Sequence, residues 1–238
     1  MQSRHIKSKS KSNSIRIMKE AKVSWEHSDA EQQCTTSAQR FKKQSWKPGT
    51  LIYPLPAVLV SCGTTPEEYN LLTIAWTGTI CTNPPMCYIS VRKERHSYEL
   101  IRRSGEFAIN ITTEAMARAT DWCGVRSGRD NNKWEAMGLT PMLTEHISAP
   151  IVGESPLSIC CRLREVKELG SHDMFIADVV GIEADERYID PETGKFSLDK
   201  ARPIVYSHGE YYTLGELIGH FGWSVRKPSK GKTTKRRK

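Results

Sequence analysis

The sequence predicts a mainly β protein, a barrel or sandwich of short antiparallel strands with small helices between them. Three observations carry this. Six or so runs rich in Val, Ile, Leu, Thr and aromatic residues are bounded by Gly-, Pro- and Asn-containing stretches. The helical patterns between them are only two or three turns long, so the strand–helix alternation of a doubly wound sheet is missing. A chain of 238 residues is long enough for one sizeable core.

Charge separates the ends from the body. Residues 1–50 carry 11 Lys and Arg against 4 Asp and Glu, and residues 227–238 carry 7 against none. The middle is therefore acidic although the whole chain is formally +8, which excludes a basic nucleic-acid groove across the domain. We divide the chain into a basic leader (1–43), a folded domain (44–226) and a basic tail (227–238). The leader begins QSRHIKSKSKSNSIRIMKE with no acid before Glu20. It reads as a solvated, disordered segment or as an organelle transit peptide, with Met18 as an alternative start. The tail leaves a salt-dependent nucleic-acid contact open. Seven Cys without a CxxC spacing read as packed thiols in a reducing compartment, hence a cytoplasmic location. The scattered His and Cys offer no metal-ligand spacing, and no run of 18 apolar residues predicts a spanning helix.

In chain order, Lys47-Pro48-Gly49 opens the domain and Ala57–Ser61 (AVLVS) is the first strand. Gly63–Tyr69 is a hairpin-type loop. Leu71–Trp76 is a strand, Thr77-Gly78-Thr79 a small hydroxyl-rich turn, Asn83-Pro84-Pro85 a second turn, and Tyr88–Val91 a strand. Ser97 stands as an N-cap, with Glu99 in the first turn of a helix that Gly105 stops. Phe107–Ile111 is a strand. Thr113–Trp122 reads as a helix capped by Thr113 and ended by Gly124, and Asn132 caps a one- or two-turn helix from Lys133 to Met137, closed by Gly138. Leu157–Leu169 and Met174–Ala184 are partner strands around the turn Gly170-Ser171-His172-Asp173.

The stretch from Asn70 to Ser104 carries most of the chemistry. Arg92, Lys93, Arg95 and Ser97 place three cations and a hydroxyl at a helix N-terminus within six residues. That combination suits a phosphate, and the Thr-rich strand turn beside it could hold the rest of a phosphorylated ligand.

The motifs LLTIAWTGTICTNPP, YISVRKERHSYELI, GEFAINI, DWCGVRSGRDNNKW and ELGSHDMFIADVV, in that order, resemble the flavin reductase-like, FMN-binding split-barrel proteins, and among them the flavoredoxin type. The resemblance covers about residues 45–224. It implies a Greek-key split β-barrel, a homodimer, FMN near the subunit interface, and hydride transfer from NADH or NADPH to flavin or electron transfer through a retained FMN. It also implies which segments meet the cofactor. Those matching Thr73–Thr79 line the isoalloxazine and ribityl side, that matching Arg92–Ser97 holds the phosphate, and the Gly170–Asp173 turn lies near the flavin or the nicotinamide.

With that resemblance, Thr73, Trp76, Thr77, Gly78 and Thr79 are candidates for the isoalloxazine, and Arg92, Lys93, Arg95 and Ser97 for the phosphate. Trp76 and Thr73 remain open to plain core and strand roles. His172 is the candidate at the reacting face, with a positioning role, because hydride transfer needs no protein acid or base; an ordinary turn His is the other reading. Asn110, Ser127 and Tyr212 are weaker candidates, and Cys123 reads as a packed thiol. The function expected is an NAD(P)H-dependent flavin oxidoreductase acting on a small-molecule acceptor, iron or a protein. A non-enzymatic FMN electron carrier is the alternative, and a nucleic-acid-associated protein acting through its tails is a third.

Overall fold

The computed structural model describes residues 42–226. The expectations for the leader, except for residues 42 and 43, and for the tail lie outside them. The chain divides into Met1–Gly49 and Thr50–Lys238. Of the first unit, residues 42–49 are exposed and contain no helix or strand; everything below concerns the second.

Its strands are β1 (Leu55–Pro56), β2 (Val58–Cys62), β3 (Asn70–Ile74), β4 (Thr77–Thr82), β5 (Pro85–Val91), β6 (Glu106–Ile111), β7 (Pro141–Met142), β8 (Ile151–Val152), β9 (Leu157–Glu168), β10 (Asp173–Ala184), β11 (Ile204–Ser207) and β12 (Glu210–Thr213). The helices are α1 (His96–Ser104), α2 (Ala117–Val125) and α3 (Lys133–Met137). Seven strands form one antiparallel sheet in the order β3-β2-β6-β9-β10-β5-β4. The hairpins β2–β3, β4–β5 and β9–β10 are local, whereas β6 lies beside β2 and β10 beside β5, the Greek-key exchange of neighbours. A three-stranded sheet, β1-β11-β12, stands apart. The protein is thus a split barrel, as the sequence predicts.

Alternation along the strands builds two cores. In β2, Val58, Val60 and Cys62 point into the barrel with Ile89, Val91, Phe107, Ile109, Phe175 and the α1 residues Tyr98 and Ile101. Leu59, on the other face, packs with Leu71 against Met116, Ala119 and Cys123 of the α2 region and Trp134 of α3. A strand buried on both faces has no polar alternation, and β2 has none. Burying one such aliphatic side chain is worth about 1.5–3 kcal/mol, so α2 and α3 are held to β3 chiefly by this second core.

Three local expectations are corrected. The Thr77-Gly78-Thr79 turn is instead the start of β4; the chain bends earlier, at Ala75-Trp76, where Ser90 N donates to Trp76 O at 2.9 Å. The Thr113–Trp122 helix is a short 3₁₀ turn, Glu114–Met116, followed by α2, which runs through Gly124 to Val125. Gly124 is therefore not a stop. A Cβ there would lie 3.1 Å from Thr73 Cβ, so the glycine lets α2 approach β3. The third concerns Ser97. Helix α1 begins at His96 after Arg95 in extended backbone, with no side-chain cap, and Ser97 sits inside the first turn. The αL Gly105 and the Asn132 cap, whose Oδ1 accepts from Trp134 N and Glu135 N, are as the sequence predicts.

Candidate functional site

The end of β3, the Ala75-Trp76 corner and the end of β5 frame a cavity of about 380 Å³ lined by Thr73, Trp76, Arg92, Arg95, His172 and Tyr211, among others. A second hollow of about 250 Å³ is lined by the N-terminus of α1 (His96, Ser97), the loop after α2 (Arg126, Ser127, Arg129) and Lys133. Leu72, Arg92, Arg95 and Val125 line both. The two are one cleft with a narrow cationic end.

The cationic end is built by tertiary contacts. Arg95 Nη1 donates to Gly124 O at 3.0 Å, which sets a cation against the carbonyl end of α2 and fixes the guanidinium where the hollows join. Asn70 Nδ2 donates to Ser97 Oγ at 2.7 Å, and the buried Ser97 hydroxyl also hydrogen-bonds with the Cys62 side chain. A Cβ on Gly128 would fall 2.0 Å from Asn70 Oδ1, so the loop crosses here only because the residue is glycine. Lys133 is buried, and its Nζ donates to Leu71 O and to Cys123 O, each at 2.7 Å. It has no carboxylate partner among the described residues, and burial pushes its ammonium down to about 8. An ammonium has three donors; the third has no partner among the described residues. Burial, then Arg129 and Lys133, also lower the His96 imidazole. Among the described residues, the one acid lining this hollow is Glu94, held by Arg92 at 2.8 Å.

The wide end is aromatic. The Trp76 and His172 rings lie 4.6 Å apart between centroids at 43°, joining the β3–β4 corner to the β9–β10 hairpin. Burial, then the Arg92 charge, lowers the His172 pKa, so the imidazole is neutral at pH 7. Thr73 Oγ1 donates to Thr120 O. On the opposite rim, the small sheet contributes Tyr206 and Tyr211; the Tyr211 hydroxyl donates to Asp121 Oδ1 at 3.3 Å, and burial and that carboxylate push it up to about 12. The arrangement suits an elongated ligand with an anionic group at one end and a flat ring at the other.

The model of the flavin reductase like domain matches residues 50–215. The chain belongs to this family. Among solved structures of flavin reductase-like architecture, the flavoredoxin of Desulfovibrio vulgaris (Miyazaki F) is 32% identical, with a TM-score of 0.72 over 78% of this chain and 100% of that one. The flavoredoxin from Methanosarcina acetivorans is 26% identical, with a TM-score of 0.71 over the same shares. An uncharacterised protein of Archaeoglobus fulgidus is 24% identical over 68% of this chain and 89% of its own length. The flavin reductase-like fold is thereby shown.

Of the residues singled out in the sequence, the structure brings Thr73, Trp76, Arg92, Arg95, Ser97 and His172 to this cleft, with Ser127 at its cationic end. Others point away from it. Lys93, in the turn that follows β5, reaches across to Glu168 at 3.3 Å and to the buried Asp173 at 3.4 Å. Thr77 Oγ1 donates to Tyr88 O at 2.6 Å, Gly78 faces the Tyr88 ring, and Thr79 is exposed on β4. Asn110 is wholly occupied inside the sheet. Its Nδ2 donates to Leu59 O and Ser61 Oγ, and its Oδ1 accepts from Val152 N and Ser158 Oγ, which leaves its amide without capacity for a ligand in this chain. Tyr212 is exposed and pairs with Glu210. Sequence reasoning missed Lys133, Arg129, Asp121, Tyr206 and Tyr211. Only Lys133 carried a signal, as a lone cation directly after a helix cap.

Proposed function

We propose that this chain binds FMN in the cleft and works as an NAD(P)H-dependent flavin oxidoreductase. The observation that carries the reading is Lys133, a buried ammonium with two carbonyl partners and no counter-ion among the described residues, at the end of a cleft whose other end is an aromatic wall. A buried charge left without an opposite charge is costly, and a phosphate dianion supplies one. The residues fit the group. Arg92, Arg95, Lys133 and the Ser97 hydroxyl hold the phosphate, with backbone N–H groups of the first turn of α1. Trp76 and neutral His172 wall the ring, and Thr73 with the close approach of Gly124 sets the cleft's floor.

When bound, the flavin would supply a two-electron acceptor for a hydride from NADH or NADPH and a donor for a small-molecule or protein acceptor. The protein's part is to hold the reactants and exclude water at the ring. His172 orients the incoming ring; with its pKa lowered it has no proton to give at pH 7. A retained FMN serving as an electron carrier is the second reading, favoured by the likeness to the two flavoredoxins. Among the described residues no helix is long and apolar enough to cross a membrane. We place the chain in a reducing, cytoplasmic setting on the six free cysteines there, five of them buried.

The test is an absorption spectrum of the purified chain with added FMN, before and after anaerobic NADH and NADPH. Bleaching names the reductant and supports the oxidoreductase. A bound flavin that ignores both nicotinamides supports the carrier. A chain that takes up no FMN overturns the cofactor reading.

A further inference from the structure

Asp173 is a buried acid that lines neither hollow of the cleft. It opens β10 with its side chain fully out of solvent. A carboxylate inside a barrel is costly unless donors hold it, and two segments supply them. The Tyr98 hydroxyl of α1 donates to Oδ2 at 2.6 Å, and Lys93 Nζ lies 3.4 Å from the same atom. The Tyr98 hydrogen bond outweighs burial and, with Lys93, holds the carboxyl below its ordinary range. Tyr98 is only 3% exposed, and its ring meets Phe175 edge-on at 5.1 Å between centroids, so the donor is itself fixed.

The sequence neighbours of the two residues give this bond a consequence. Ser97 precedes Tyr98, and His172 precedes Asp173. Successive residues of a helix point about 100° apart. Ser97 therefore meets Asn70 at the cationic hollow while Tyr98 packs in the barrel core. At the other end of the bond, Asp173 is buried and His172 lines the wide hollow, its ring against Trp76. Little else ties His172 down. Among the described residues, its imidazole hydrogen-bonds only within its own turn, with the Ser171 hydroxyl at 3.0 Å.

We propose that Asp173 is a positioning residue for His172. Tyr98 grips its carboxylate, the grip fixes the chain at the start of β10, and the fixed chain sets the His172 ring against Trp76. The turn of α1 that makes the grip also carries Ser97, so one hydrogen bond registers the aromatic end of the cleft to its cationic end. What His172 does for an incoming ring rests on the function proposed above. Where its imidazole stands does not.

The test is proton magnetic resonance of the full chain without flavin, so its failure is separable from a failure to bind FMN. The His172 Cε1–H signal, identified by its loss in His172→Ala, carries the ring-current shift of the Trp76 indole, and Trp76→Leu marks the unshifted position. Tyr98→Phe keeps the ring against Phe175 and removes the donor; its His172 signal should move to the unshifted position. In Asp173→Asn, whose amide oxygen still accepts from Tyr98, the signal should stay with the parent's, a readout that stands even if Tyr98→Phe fails to fold. Asn110→Leu, destabilised within β6, should leave it in place too, which separates positioning from loosened packing. In the FMN-loaded chain, Tyr98→Phe should raise the KM for the nicotinamide several-fold with kcat near the parent's. Tyr98→Phe/His172→Ala should be no worse than His172→Ala alone, because both substitutions act through one ring. A His172 signal that stays shifted in Tyr98→Phe overturns the inference. So does one that leaves its place in Asp173→Asn or Asn110→Leu, and so do KM losses that multiply in the double variant.

Discussion

Lys133 Nζ and the Leu71 carbonyl oxygen meet at 2.7 Å, a contact that ties the first residue of α3 to the second residue of β3 and buries a cation at the end of the cleft. The geometry makes Lys133 the residue whose removal separates phosphate binding from folding. Lys133→Met keeps the stem's packing and removes the charge. It should weaken FMN binding about 10- to 100-fold, the worth of one charge-assisted hydrogen bond, and leave riboflavin, which has no phosphate, unaffected. Titration of the two flavins by fluorescence quenching checks this; equal losses for both would refute a phosphate role.

The same group sets a pH dependence. Burial lowers the Lys133 ammonium to about 8 in the folded chain, against 10.5 for the ordinary group. Below pH 8 it is charged in both folded and unfolded states, and its burial penalty is fully present. Between 8 and 10.5 the unfolded chain binds more protons, so this group's contribution makes stability rise with pH there. FMN affinity should move oppositely, falling as pH climbs above 8 because the phosphate needs the ammonium. The Lys133 contribution to both slopes should be lost in Lys133→Met, read as the difference from the parent in denaturant melts and flavin titration across pH 7–10.

Arg95 and Lys93 are two residues apart and should behave differently. Arg95→Ala removes a cation at the junction of the two hollows and the contact to Gly124 O, and should cost about 10-fold or more in FMN affinity. Lys93→Ala should change it by less than about 2-fold, since Lys93 serves Asp173 and Glu168, and should show instead as a lower melting temperature. A loss of FMN in Lys93→Ala comparable to that in Arg95→Ala would contradict the placement.

Asn110→Leu should destabilise by about 3 kcal/mol or more, because Val152 N and the Ser61 and Ser158 hydroxyls lose a buried partner. Once folded, the variant should bind FMN as the parent does. Urea midpoints and flavin titration on one preparation distinguish this from a ligand role.

His172→Ala should raise the KM for the nicotinamide several-fold, about 10-fold at most, without adding or removing an inflection between pH 7 and 8. The imidazole is mostly neutral there because burial, then Arg92, lowers its pKa. An inflection that disappears with the substitution would assign it a proton-transfer role.

Local pattern sufficed wherever a residue's neighbours in sequence decide its state. The strands of the β2–β3 and β9–β10 hairpins, the αL Gly105 and the Asn132 cap follow from period-two alternation and backbone sterics, which act over a few residues. The cluster Arg92, Arg95 and Ser97 was legible for the same reason, being one turn between a strand and a helix. Side-chain destinations were not. Lys93 and Asn110 have the right chemistry for a ligand and spend it on Asp173 and on the β2–β6–β9 pairing, and no neighbour in sequence reveals that. Lys133, Asp121 and Tyr211 reach the cleft from α3, α2 and β12, far from Arg92 along the chain, and only the closure of the sheet brings them within range. The sequence by itself determined the family, helix α3 and the strands β2, β3, β5, β6, β9 and β10. The tertiary structure alone decided which cations face the cleft, because burial and hydrogen-bond partners are properties of the packed chain.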